Sequence, residues 1–71
     1  MIVQTFAVTG MTCEHCVHAV REEVGALAGV SDVAVDLVPN GTSTVRVTSA
    51  APLTDDQVAA ALDEAGDYHL S

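Results

Sequence analysis

The only two cysteines in the chain, Cys13 and Cys16, stand three residues apart in the run Met11-Thr12-Cys13-Glu14-His15-Cys16. That run lies where an apolar strand pattern gives way to a helical one. Two thiolates presented from a loop and from the first turn of a helix can grip one soft metal ion, or they can cycle through a disulfide. Cys16, in the first turn, would feel unpaired N–H groups and the positive end of the helix dipole, which favour the thiolate that binds metal. Glu14 opposes this from an exposed position. Two sulfurs suit a soft cation of low coordination number, Cu(I) above all. A structural zinc site wants four ligands, and His18, two residues after Cys16, falls on a different helix face. The redox alternative calls for a thioredoxin-like sheet with a proline facing the cysteines. Neither Pro39 nor Pro52 is placed to supply one, so the residues favour the metal.

The neighbours divide between chemistry and packing. Met11 carries a soft sulfur, but one apolar residue beside a loop reads first as a plug into the core. His15 reads as a solvated side chain, or as a group whose protonation influences metal affinity, rather than as a permanent ligand. His18 and His69 read as surface residues. Tyr68 either covers the cysteine pair or packs on the sheet. The pairs Glu22-Glu23 and Asp55-Asp56 read as solvated faces or as helix N-terminal charges. There is no catalytic triad, paired general acid and base, or phosphate-cradling glycine loop, so an enzyme is not expected.

The elements that must position these residues follow from periodicity. Ile2 to Val8 alternates as a strand, with Ile2, Gln4, Phe6 and Val8 on one face. Thr9-Gly10 breaks it. Val17, Val20, Val24 and Leu27 then recur at helical spacing, Arg21, Glu22 and Glu23 point to water, and Gly29 supplies a stop. Val33, Val35 and Leu37 alternate with Asp32, Ala34 and Asp36 in a half-buried second strand. Pro39-Asn40-Gly41 is a turn signal, and Thr44 to Thr48 forms a third strand that closes a hairpin. Thr54-Asp55-Asp56-Gln57 is a capping box. The helix after it would bury Val58, Ala61, Leu62 and Ala65 and end at Gly66, with Tyr68 to Leu70 as a short last strand. The order is β-α-β-β-α-β, an α+β, ferredoxin-like sandwich: a four-stranded antiparallel sheet with two helices on one face. In that topology the Pro39-Asn40-Gly41 turn and the Gly66-Asp67-Tyr68 connection reach the same end as Cys13 and Cys16.

Seventy-one residues make a single domain, residues 1–71. Apolar residues are 49% of the chain with one Phe, one Tyr and no Trp, so Val, Ala and Leu must build the core. A loop as short as that between Cys13 and Cys16 cannot staple a fold, so any stabilisation at the pair would come from a bound ion. Two arginines, no lysine and ten acidic residues give a net charge of −8. Nucleic acid and anionic lipid would repel that surface, so neither nucleic acid nor membrane is an expected partner. No apolar stretch is long enough for a membrane span, and the N-terminus lacks the features of a secretory signal. A cytoplasmic protein with reduced thiols is the expectation.

The run Gly10-Met11-Thr12-Cys13-Glu14-His15-Cys16 resembles the G-M-x-C-x-x-C signature of heavy-metal-associated domains, and the likeness extends over essentially the whole chain, including Glu64-Ala65-Gly66 and Tyr68. Small bacterial copper chaperones and the N-terminal modules of copper-transporting P-type ATPases are similar to it. The resemblance implies a ferredoxin-like fold in which Cys13 and Cys16 bind Cu(I) in near-linear geometry, with Met11, His15 and Tyr68 around them. It also implies transfer of the ion to a partner's cysteines by ligand exchange, for which a copper-transporting P-type ATPase or a copper-sensing repressor is the expected recipient. A loop site open to an incoming thiolate also lets two copies share copper through four cysteines, so a copper-bridged homodimer is expected. Thr12 stands where zinc-binding members carry an acidic residue, which leans toward copper; mercury-binding relatives share the loop. The chain departs from the pattern at Asp67, which separates Gly66 from Tyr68, at His15, and in lacking lysines used for docking. The start at Met1 and the end at Ser71 fit a stand-alone protein, with an excised transporter module as the alternative.

Overall fold

The computed structural model describes residues 1–39 and 41–70. The elements run β1 (Ile2–Thr9), α1 (Glu14–Gly25), β2 (Val30–Asp36), β3 (Ser43–Ser49), α2 (Asp55–Ala65) and β4 (His69–Leu70). The strands form one sheet in the order β2-β3-β1-β4, every neighbouring pair antiparallel. The ferredoxin-like α+β arrangement expected from the sequence is the one observed.

Alternation decides which face of the sheet is covered. Phe6 and Val8 of β1 and Val45 and Val47 of β3 are buried, while Val3, Thr5 and Ala7 between them are exposed. Opposite them the helices bury Val20 and Val24 from α1 and Val58, Ala61 and Leu62 from α2. Phe6 is the one aromatic residue in this core, which is otherwise mainly Val and Leu. Burying each such side chain is worth about 1.5–3 kcal/mol.

The capping box at α2 is complete: the Gln57 amide N–H donates to the Thr54 hydroxyl, and the Thr54 N–H donates to the Gln57 side chain. Two boundaries and one exposure differ from the sequence expectation. Helix α1 ends at Gly25 rather than just before Gly29. Leu27 packs on the core from the following turn, where its N–H bonds to the Val24 carbonyl. Gly29 serves that turn with φ +85, a left-handed conformation suited to glycine. Glu23 is half-buried rather than fully solvated. The last strand begins at His69, so Tyr68 precedes it. Asn40, read as the centre of the β2–β3 turn, and Ser71, read as the chain's end, lie outside the described residues; beside Asn40, the Gly41 N–H bonds back to the Val38 carbonyl.

Candidate metal centre

The cysteine loop is fixed at both ends before the sulfurs are placed. Gly10 leaves β1 with φ +96, and a Cβ there would stand 2.7 Å from the Asp67 carbonyl oxygen, so the two loops approach as closely as bare backbone permits. Met11 follows and is 1% exposed, a plug among the core side chains. Its sulfur chain therefore anchors the loop from below.

Cys13 is the N-cap of α1, extended at φ −155 and ψ 174. Its carbonyl accepts from the N–H groups of Cys16 and Val17 at 3.1 and 3.4 Å. Its side chain makes no capping bond, and the residue is exposed. Cys16, one turn on, is half-buried. The two Sγ atoms are 3.9 Å apart, and neither cysteine is in a disulfide. A disulfide would need them at about 2.05 Å. One ion can contact both at an ordinary metal–sulfur length of about 2.3 Å, since 3.9 Å is less than twice that.

The two sulfurs are not equivalent. The Cys16 thiol is pulled down from 9.0 to about 6, first by the backbone N–H of Thr12, then by the hydroxyl of Tyr68, the backbone of Cys13 and the Thr12 side chain, against a smaller opposing effect of burial. The Thr12 Oγ1 lies 3.8 Å from the Cys16 sulfur. Tyr68 is pushed up to about 12, chiefly because its hydroxyl proton is held by Cys16, then by burial and by the charge of both sulfurs. Cys16 is thus poised as a thiolate at neutral pH.

The structure brings Cys13, Cys16 and Tyr68 together at one end, with Met11 beneath them. His15 is exposed on the first turn of α1, and His18 is exposed further along it. His69 is exposed, with its Nε2 3.2 Å from the Oδ1 of Asp67. Among the described residues no group of three or more His, Cys, Asp or Glu side chains could jointly hold a metal ion. Taken as a donor set, the two sulfurs would suit a soft ion of low coordination number better than zinc.

Two contributions were not legible in the sequence. Thr12 stood out only as a residue that is not acidic, whereas its N–H and hydroxyl both serve Cys16. Gly66 read as a helix stop, whereas its missing side chain is the space that the Tyr68 ring fills. A glycine near an aromatic residue at a helix end is the signal that could have suggested the second.

The profile of the heavy-metal-associated domain matches residues 5–67. The chain belongs to that family. This heavy-metal-associated domain is 41% identical over 63 residues to the COP-associated protein of Helicobacter felis, an alignment covering 89% of each chain. It is 56% identical over 34 residues to the copper chaperone CopZ of Bacillus subtilis, covering 48% of this chain and 49% of that protein. Among solved structures, a CopZ metallochaperone superposes with a TM-score of 0.75 at 26% identity, covering 99% of this domain and 100% of the other. The yeast copper transporter domain CCC2A, determined in apo and Cu(I)-loaded states, gives a TM-score of 0.75 at 28% identity over 97% of this domain and 93% of that chain. No helix among the described residues is long and apolar enough to cross a membrane.

Proposed function

We propose that this protein is a copper chaperone that carries Cu(I) between the thiolates of Cys13 and Cys16 and delivers it by ligand exchange. The observation that carries the reading is the pair of free sulfurs 3.9 Å apart, with Cys13 exposed to an incoming ligand. The copper in the names of the similar proteins supports the choice of metal. Copper is here the cargo. An enclosed site would hold it tightly but release it slowly. A loop site with Cys13 exposed admits an incoming thiolate, so a partner's sulfur can attack before either resident sulfur leaves.

The recipients proposed are the cysteines of a copper-transporting P-type ATPase or a copper-sensing repressor, met in the cytoplasm. A copper-bridged homodimer follows from the same openness, since two copies can share the ion through four sulfurs. Proton release on binding makes affinity fall as pH drops. No enzymatic turnover is assigned to the chain.

The test is an anaerobic Cu(I) titration against a competing chelator, read by absorbance and native mass. The parent chain should bind tightly through sulfur. Cys13→Ser and Cys16→Ser should each lose that binding, and unchanged affinity in either would reject the two-thiolate site.

A further inference from the structure

We propose that the groove between α1 and the outer edge of β2 is a docking site for an extended segment of a partner protein, which joins the sheet as a fifth strand and carries apolar residues alternating with lysine or arginine. The sheet order leaves β2 at an edge, and among the described residues no strand pairs with its outer side. Two cavities of about 470 and 330 Å³ run end to end along that edge. One reaches Glu14 and Leu37, the other reaches Gly25 and Val30, and His18 and Arg21 border both. A strand edge facing a helix across an open groove is the geometry that accepts an added strand: backbone bonds give affinity, and alternate side chains give selectivity.

The residues of β2 specify the occupant. Val33 and Val35 turn toward the helices, while Asp32 and Asp36 are exposed on the other face. Residues directly opposite one another on paired strands share a face. An incoming strand therefore sets two side chains against the carboxylates of Asp32 and Asp36, one between them against Ala34, and the two that alternate with these toward Val33 and Val35. Cations four positions apart, each followed inward by an apolar residue, match that pattern. A second copy does not, because Asp32 and Asp36 would repel an acidic strand and each chain carries a net charge of −8. Charged edge residues ordinarily block strand addition; here they select its sign. The register shift between Val30 and Asp32 confines regular pairing to Asp32–Asp36. The site uses neither cysteine and does not depend on the metal assignment.

The experiment titrates the isotope-labelled, metal-free full chain with a blocked synthetic peptide of core Lys-Val-Thr-Val-Lys, followed by amide chemical shifts. The shifts should concentrate on Asp32–Asp36 and on the face of α1 opposite them. A peptide with glutamate for both lysines, and one N-methylated on the amides facing β2, should each bind at least about tenfold more weakly. The Asp32→Lys/Asp36→Lys double variant should reverse the charge preference while its Cu(I) titration stays unchanged. The proposal is overturned if the N-methylated peptide binds as well as its parent, if the shifts map elsewhere, or if millimolar peptide produces none.

Discussion

The ring of Tyr68 occupies the space that a side chain on Gly66 would need. A Cβ there would stand 2.9 Å from Cε2, 3.1 Å from Cζ and 3.3 Å from the hydroxyl oxygen. Gly66 is in an extended conformation that other residues can adopt, so its requirement for glycine comes from the ring and not from the backbone. The tip of that ring is what serves Cys16. Gly66→Ala should therefore push the hydroxyl off the thiolate, and Tyr68→Phe should remove the donor without a clash. Both should raise the pH at which Cys16 ionises. In a Cys13→Ser background, the pH midpoint of alkylation at Cys16 measures this directly. A midpoint unmoved in both variants would mean that Tyr68 only packs.

The lowered ionisation of Cys16, due first to the Thr12 backbone and then to Tyr68, makes the metal-free fold sensitive to pH. The Cys16 thiol ionises at about 6 when folded, against 9.0 ordinarily. A folded value below the unfolded one stabilises the native state by deprotonation. That contribution is complete above about 9.0 and is lost as pH falls through about 6. The difference in urea midpoint between the parent chain and Cys16→Ser should therefore grow in the parent's favour from pH 6 to pH 9. A difference that stays flat across that range would show that the thiolate is no better supported in the fold than in the unfolded chain.

What the sequence revealed and what it hid follow from the range of the interactions. The face of β1 that holds Phe6 and Val8 was legible because alternation is local. The Thr54 cap was legible because its partner Gln57 is three residues away. The end of α1 was misplaced because Leu27 keeps the helical spacing of Val20 and Val24 after the helix has stopped, burying its side chain from a turn instead. The cysteine pair was legible from spacing, as was Met11 as a plug. The support of Cys16 by Tyr68 spans the whole chain and depends on where Gly66 and Gly10 let backbone and ring approach. Asp67 suggested a shifted register for Tyr68, and the last strand begins one residue after it, at His69.

Gly10 should be the least replaceable glycine. Its φ of +96 already disfavours any other residue, and a Cβ would press on backbone, the Asp67 carbonyl at 2.7 Å, which cannot swing aside as a side chain can. Gly29 is a built-in comparison, with a similar φ of +85 but its nearest neighbour at 3.8 Å. Gly29→Ala should incur only the backbone strain of about 1–3 kcal/mol. Gly10→Ala should cost more by thermal or urea denaturation, and it should also loosen the site, seen as slower copper uptake or a raised Cys16 alkylation midpoint. Equal destabilisation by the two would refute the close approach of the loops.

Gln4 closes the other end of the molecule. Its side-chain amide donates to the Leu53 carbonyl at 3.2 Å, and its amide oxygen accepts from the Leu53 N–H at 2.8 Å. One side chain thus satisfies both backbone groups of a residue forty-nine positions away, just before the capped start of α2. Leu53 is itself in the core, so the bracket holds the α2 entry against β1 while the apolar side chain packs. Gln4→Leu should leave both groups of Leu53 unpartnered in a part-buried position, at about 1–3 kcal/mol. Gln4→Glu should be an intermediate case, since the carboxylate still accepts the N–H but turns a second acceptor toward the carbonyl. Amide exchange at Leu53 should quicken most in Gln4→Leu, and Cu(I) binding at the opposite end should be unaffected in both. If Leu53 exchanges no faster in Gln4→Leu, water replaces the bracket without loss and the bonds contribute nothing to the fold.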